Sequence, residues 1–334
     1  MITYLLFIVG FYVLVKGAEL LIKGSVSVAK KFNVPSIVIG LTIVAFGTSL
    51  PEFVVSFIAG LKGNSGIAIG NVLGSNIVNI FFILGISSII RDIKSGKETV
   101  CKQIPFSFFV IFLTGSLLSI NSVLGIKFYG LTRFNGAIML FFFFLYMLYT
   151  IKLSKSMELK EYAEEKKQEN VLNAVILIII GLTGLILGGE WIVRGAVKIA
   201  AMFNIDQTVI GLTIVAIGTS LPELATSVVA VCKKEDDIAI GNIIGSNIFN
   251  VLWILGFTSL ICPIPFNKSL NFDIFMTAFA SLLLFVFMYS GKKYTLKRWH
   301  GITMIFISKF NLNDFSTQKW IDIYKSFYLL TTTD

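Results

Sequence analysis

The sequence predicts an all-α polytopic membrane protein of about ten transmembrane helices, arranged as two inverted five-helix repeats. Three observations carry this prediction. The chain of 334 residues is 55% hydrophobic and 14% charged, with a mean hydropathy of +0.84, and apolar runs of about 20 residues recur along it. Two polar motifs occur twice, in one register. Basic residues gather in the loops that would share one membrane face. The short alternating segments of a β-barrel are not visible.

The first half is expected over residues 1–153. Its first span covers about 2–29 and reads as a span rather than a cleaved signal, since no basic leader precedes it. Glu19 and Lys23 lie four apart there, so they share a helix face and can pair. Glu190 and Arg194 repeat that pattern 171 positions on. The second span runs over about 35–61, the third over 67–90, the fourth over 104–120 and the Phe-rich fifth over 134–153. Residues 154–170 mix Lys and Glu and read as a solvated linker.

The second half, residues 171–307, repeats the order with spans at about 171–202, 207–231, 238–261 and 272–290. A tenth span should begin near Trp299, because Arg298-Trp-His-Gly301 resembles Arg133-Phe-Asn-Gly136. Only 302–307 is apolar before Ser308 and Lys309, far short of the roughly 20 residues a span needs. Either the tenth helix is incomplete or Phe310, Leu312 and Phe315 extend it poorly, and 308–334 reads as a polar C-terminal tail.

The net charge of +9 is explained by loops, and no nucleic acid partner is expected. Lys30, Lys31, the 91–102 cluster, the linker, Lys233, Lys234 and residues 292–298 fall on one side. The other side carries Lys62, Lys127, Arg133 and Lys268. The rich side faces the cytoplasm, which places the N-terminus outside and the linker inside. Five spans separate the motif copies, and an odd number inverts the second copy. Cys101, Cys232 and Cys262 show neither metal spacing nor a disulfide framework, and read as ordinary apolar-site residues.

The first motif is Gly40-Leu-Thr-Ile-Val-Ala-Phe-Gly-Thr-Ser-Leu-Pro-Glu52, followed by Ile69-Gly-Asn-Val-Leu-Gly-Ser-Asn-Ile-Val-Asn79. The second runs from Gly211 to Glu223, then from Ile240 to Asn250. Glu52 and Glu223 each fall mid-span. A lone carboxylate in lipid costs several kcal/mol, so each must face protein, water or a cation. Together they match one divalent cation or several monovalent ones. Thr48 and Ser49 lie within a turn of Glu52, as Thr219 and Ser220 do of Glu223. Pro51 and Pro222 lack an N–H and free the carbonyls of Gly47 and Gly218, which predicts a broken helix at each site. Asn71, Ser75 and Asn79 form an i, i+4, i+8 stripe, and Asn242, Ser246 and Asn250 form its counterpart. Such an all-oxygen set suits calcium. A transition metal would recruit Cys or His. Packing has at least an equal claim on Gly74, Gly245, Asn71 and Asn242, and the stronger claim on Asn76 and Asn247, which lie off the stripe.

These paired signatures resemble the two α-repeats of the calcium/cation antiporter superfamily, and are most similar to the prokaryotic sodium/calcium exchangers. The resemblance implies an inverted five-plus-five fold and a secondary antiporter that exchanges calcium for sodium by alternating access, not an enzyme. It implies that Glu52 and Glu223 ligate both ions, with hydroxyls at Thr48, Ser49, Thr219 and Ser220. It adds the carbonyls of Ala45 and Ala216, and the side chains of Ser75, Asn79, Ser246 and Asn250. It further implies that the first span of each half, which carries Gly17 or Gly188, is a sliding element. Calcium and sodium are transported ions. No cofactor and no nucleotide is expected. Some relatives have Asp at one or both of the last positions, and the neutral Asn79 and Asn250 speak against potassium co-transport. A proton-driven antiporter for calcium or another divalent ion would want more titratable groups near the site, and the single histidine, His300, lies outside both motifs. An intramembrane hydrolase would need a metal-binding His cluster, a Ser–His or Ser–Lys arrangement, or paired aspartates, whereas the halves repeat one glutamate symmetrically. A passive channel would differ by lacking counter-flow.

Overall fold

The computed structural model describes residues 2–123, 129–156, 170–202, 216–267, 270–290 and 294–314. Helix α1 (Ile2–Phe32) is followed by α2 (Ser36–Thr48) and α3 (Leu50–Leu61), which meet at a bend of 49°. Then come α4 (Ser65–Ile90), β1 (Ile93–Lys94), α5 (Ile104–Val123), β2 (Gly130–Leu131) and α6 (Arg133–Ser156). The second half supplies α7 (Val171–Met202), α8 (Ala216–Thr219), α9 (Leu221–Cys232) and α10 (Asp236–Ile261). It closes with β3 (Ile264–Pro265), α11 (Asn271–Ser290), β4 (Thr295–Leu296) and α12 (Arg298–Asp314). Among the described residues, seven helices are long and apolar enough to cross a membrane, and the bent pair α2–α3 makes an eighth. The protein is an all-α membrane protein. The first part of the span expected over 207–231 and most of the linker lie outside the described residues.

Helices α4 and α10 form the centre. Nearly every residue of α10 is buried, including Asn242, Ser246, Asn247 and Asn250. A helix apolar on all sides belongs inside a bundle. Gly241 and Gly245 let α10 lie against the backbone of α2, for a Cβ on Gly241 would meet the Ile37 carbonyl at 2.9 Å. That is a packing role. The outer helices carry apolar side chains to the lipid, among them Phe141 and Phe144 of α6.

Helices α1 and α7 meet along a glycine seam. Gly10, Gly17 and Gly24 recur every seven residues; Gly10 faces Gly188 and Gly17 faces Gly181, while Gly24 lies against Ala174 and Ile178. A Cβ on Gly17 would come within 2.8 Å of the Gly181 carbonyl, and one on Gly181 within 2.5 Å of the Leu21 nitrogen. Only backbone fits there. On α1, Glu19 pairs with Lys16 at 2.7 Å rather than with Lys23. A helix offers neighbours on both sides of a turn, and here the N-terminal lysine reaches it. On α7 the expected Glu190–Arg194 pair forms, at 2.5 Å. The cysteines are free but not buried: Cys101 and Cys262 are half-exposed and Cys232, at the end of α9, is exposed.

The halves are cross-linked at both ends. Strand β1 pairs antiparallel with β4, and β2 with β3. At Gly130 (φ +154°) a Cβ would strike the Ile264 carbonyl at 2.3 Å, so the tight strand crossing requires glycine. Helix α6 of the first half packs on α10, where Gly136 abuts the Gly256 carbonyl. Helix α12 of the second half packs on α4, where Gly301 abuts the Gly85 carbonyl. This contact explains a departure from expectation. The polar stretch expected to begin a tail at Ser308 instead continues α12 to Asp314, with Ser308 buried. Packing against α4 supplies what apolar length does not.

The starts of α6 and α12 share one device. Thr132 and Asn135 form a capping box: Thr132 N–H donates to Asn135 Oδ1 at 2.9 Å, and Asn135 N–H to Thr132 Oγ1 at 3.2 Å. In the second half Lys297 N–H donates to His300 Nδ1 at 2.9 Å. The imidazole is buried and stacks on Phe287 with centroids 4.4 Å apart. His300→Ala should therefore destabilise the protein by about 1–3 kcal/mol through lost cap and packing. His300→Asn, which restores the acceptor, should recover part of the loss. Thermal midpoints in detergent check this, and equal midpoints for the two variants would exclude the cap.

Candidate cation-binding site

Both motif copies fold into an interrupted helix. In the first, a π-helical turn at Gly40–Val44 leads into Ala45–Thr48. The helix then breaks at Ser49 (φ −83°, ψ 7°) and restarts at Leu50 with Pro51 in its first turn. In the second, Ser220 (φ −90°, ψ 6°) and Pro222 do the same. Proline cannot continue a helix but suits the first turn of a new one. The break therefore sets Glu52 and Glu223 at the N-termini of α3 and α9. The partial positive charge of a helix N-terminus favours a carboxylate there.

Glu52 and Glu223 are fully buried, at 0% and 1% exposure. Each is contacted by a hydroxyl of the other copy. Ser49 Oγ donates to Glu223 Oε1 at 3.1 Å, and Ser220 Oγ lies 3.4 Å from Glu52 Oε1. Ser75 Oγ adds a donor to Glu52 Oε1 at 3.1 Å and lies 3.0 Å from Ser220 Oγ. Thr48 Oγ1 donates to Asn242 Oδ1 at 3.0 Å and lies 3.5 Å from Ser246 Oγ. The Ala45 carbonyl sits 3.3 Å from Thr48 Oγ1 and 3.5 Å from Ser246 Oγ. The structure thus brings Ala45, Thr48, Ser49, Glu52, Ser75, Ser220, Glu223 and Ser246 into one cluster. Asn79 and Asn250 lie one turn beyond Ser75 and Ser246 on α4 and α10. Thr219 is half-exposed on the wall of a cavity of about 340 Å³, with Leu50, Pro51, Glu190, Arg194 and Pro222. Ala216 opens α8, and the motif residues before it lie outside the described residues.

The polar atoms do not balance. Glu52 Oε2, Glu223 Oε2, Asn79 Oδ1 and Asn250 Oδ1 are buried with no hydrogen-bond partner. All four accept, and buried acceptors without donors are rare in native proteins. Among the described residues the ion pairs lie elsewhere, so no lysine or arginine neutralises the two carboxylates. No cluster of three Cys, His, Asp or Glu is found among the described residues either. Oxygen acceptors with hydroxyl flanks and no soft ligand form the donor set of a hard cation.

Other motif residues serve as scaffold. Asn71 Nδ2 donates to the Glu52 carbonyl at 3.3 Å and to Ser56 Oγ at 2.9 Å. Asn242 Nδ2 does the same to the Glu223 carbonyl at 3.5 Å and to Ser227 Oγ at 3.1 Å. These amides tie α4 to α3 and α10 to α9, as a packing role requires. Ser56 and Ser227 escaped the sequence reading, although both recur at the repeat offset. The π-helical segments Asn79–Leu84 and Phe249–Leu255 were also missed. Such widened turns often mark functional sites.

A family model described as sodium/calcium exchanger protein matches residues 2–152 and 173–307. The sodium/calcium exchanger MaX1 of Methanosarcina acetivorans is 31% identical over 336 residues, covering 91% of this chain and 95% of that protein. Inner membrane protein YrbG of Escherichia coli is 36% identical over 266 residues, covering 77% and 79%. The solved structure of the sodium-calcium exchanger NCX_Mj, soaked with sodium and calcium, superposes with a TM-score of 0.79 at 33% identity. That match covers 94% of this chain and 99% of the other.

Glu52→Gln and Glu223→Gln should each lower calcium affinity at least about tenfold, since each removes a full negative charge from a desolvated site. Helix content should stay unchanged. Isothermal titration in detergent checks this, and unaltered affinity in both variants would remove the carboxylates from the site.

Proposed function

Because the chain belongs to the sodium/calcium exchanger family, we propose that it exchanges calcium for sodium across the membrane through the cluster around Glu52 and Glu223. The family is one of membrane cation antiporters, not of enzymes. The observation that carries the proposal is the set of four buried acceptor oxygens without donors, two of them from carboxylates. The proposed ligands are Glu52, Glu223, Thr48, Thr219, Ser49, Ser220, Ser75, Ser246, Asn79 and Asn250, with the carbonyls of Ala45 and Ala216.

The mechanism follows from charge. An empty site carrying two carboxylates is costly to occlude in a low-dielectric interior. One calcium ion, or sodium ions in its place, neutralises it. Only the loaded site then switches cheaply, and inward movement of one ion is tied to outward movement of the other. The driving energy is the sodium gradient.

Ten spans accommodate this cycle. The first half would supply α1, α2–α3, α4, α5 and α6. The second would supply α7, α8–α9 with the residues before 216, α10, α11 and α12, inverted in the membrane. The N-terminus would lie outside and the 154–170 linker in the cytoplasm. The glycine seam between α1 and α7 suits them to slide against a core built on α4 and α10. His300, the only histidine, caps α12 away from the cluster. That favours sodium over protons as the coupling ion.

Calcium-45 uptake into proteoliposomes separates the readings. Vesicles preloaded with sodium should take up calcium, while vesicles preloaded with choline or potassium should not. Uptake driven by an acid interior in the absence of sodium would overturn the sodium assignment in favour of proton coupling. Downhill uptake that needs no ion on the opposite side would indicate a channel.

A further inference from the structure

We propose that Asn76 and Asn247 are positioning residues that hold the side chains of Asn79 and Asn250 with their oxygens turned to the cation. The inference rests on the exchanger reading and extends it beyond the ligands. Neither Asn76 nor Asn247 lies on the ligand stripe, and the amide nitrogen and oxygen of each are engaged in hydrogen bonds.

The two asparagines cross between α4 and α10. Asn76 Nδ2 donates to the backbone carbonyl of Asn247 at 3.1 Å, and Asn247 Nδ2 lies 3.5 Å from the backbone carbonyl of Asn76. A backbone carbonyl only accepts, so each crossing amide must present its nitrogen there. Its oxygen is then fixed on the opposite side. Asn76 Oδ1 accepts from Asn250 Nδ2 at 3.0 Å, and Asn247 Oδ1 accepts from Asn79 Nδ2 at 3.0 Å. The nitrogens of Asn79 and Asn250 are thereby engaged, and their oxygens are left as the buried atoms without partners.

The direction of every amide in this network is therefore dictated by two main-chain carbonyls. Without Asn247, Asn79 could rotate and offer N–H to the site, which would repel a cation. The network also bears on charge. A carboxylate at position 79 would set an oxygen against Asn247 Oδ1, acceptor to acceptor. Position 250 stands in the same relation to Asn76. The crossing amides thus favour neutral side chains at both ligand positions and hold the site at two carboxylates. All four asparagines are buried, at 0% to 2% exposure, so water does not substitute readily for a lost partner.

A double-mutant cycle on calcium binding tests this, using isothermal titration of the full-length protein in detergent. Asn79→Ala and Asn247→Ala should each raise the dissociation constant about tenfold. The double variant should be no weaker than Asn79→Ala alone, because Asn247 acts through Asn79. Multiplied effects in the double variant, or unchanged affinity in Asn247→Ala, would overturn the proposal and leave Asn247 as packing. Should Asn247→Ala fail to fold, Asn76→Ala with Asn250→Ala forms the equivalent cycle. Wild-type protein that binds no calcium would instead sink the exchanger reading and this proposal with it.

Discussion

Two carboxylates buried in an apolar interior, with no basic partner among the described residues, are the constraint on which the structure depends. Glu52 and Glu223 cannot sit in lipid, so the helices that carry them are drawn to the middle of the bundle. They cannot be neutralised by a lysine or arginine and still bind a cation. The fold meets both conditions with neutral groups: helix N-termini, hydroxyls and amides. Each stabilises negative charge without cancelling it. Each motif copy also completes the other, with Ser49 serving Glu223 and Ser220 serving Glu52. Each carboxylate thus takes a hydroxyl contact from the copy that does not carry it.

Much of this was legible in the sequence because chemistry repeated at one offset leaves few alternatives. A proline within an apolar run fixes the break, and the glutamate beside it marks the candidate ligand. The broken helix followed from the missing N–H of Pro51 and Pro222, and the structure places it at Ser49 and Ser220. The hydroxyl-to-carboxylate contacts between copies could not be read, because pattern reports which face a residue occupies but not which neighbour it meets. The same limit explains Glu19, whose partner is Lys16 although Lys23 lies on the same face.

Other features were hidden for separate reasons. The π-helical turns depend on backbone hydrogen bonding that no side-chain pattern encodes. Helix α12 was underestimated because hydropathy measures a helix against lipid, whereas α12 is measured against α4. Asn76 and Asn247 looked like packing residues because they fell off the stripe. In the structure their place off the stripe turns them across to the opposite helix, where each meets the other's backbone carbonyl.

The glycine seam between α1 and α7 has a mechanical consequence. Where side chains interdigitate, one helix moves along another only by climbing over each ridge, and the height of the ridges sets the friction. Gly17 meets main chain, but Gly10 and Gly24 also receive the side chains of Ile192 and Ile178, so ridges of α7 sit in sockets of α1. The joint is keyed rather than smooth, and it resists travel of one helix along the other. The two helices are thereby coupled as one rod, and any travel falls to the faces they turn to the rest of the bundle.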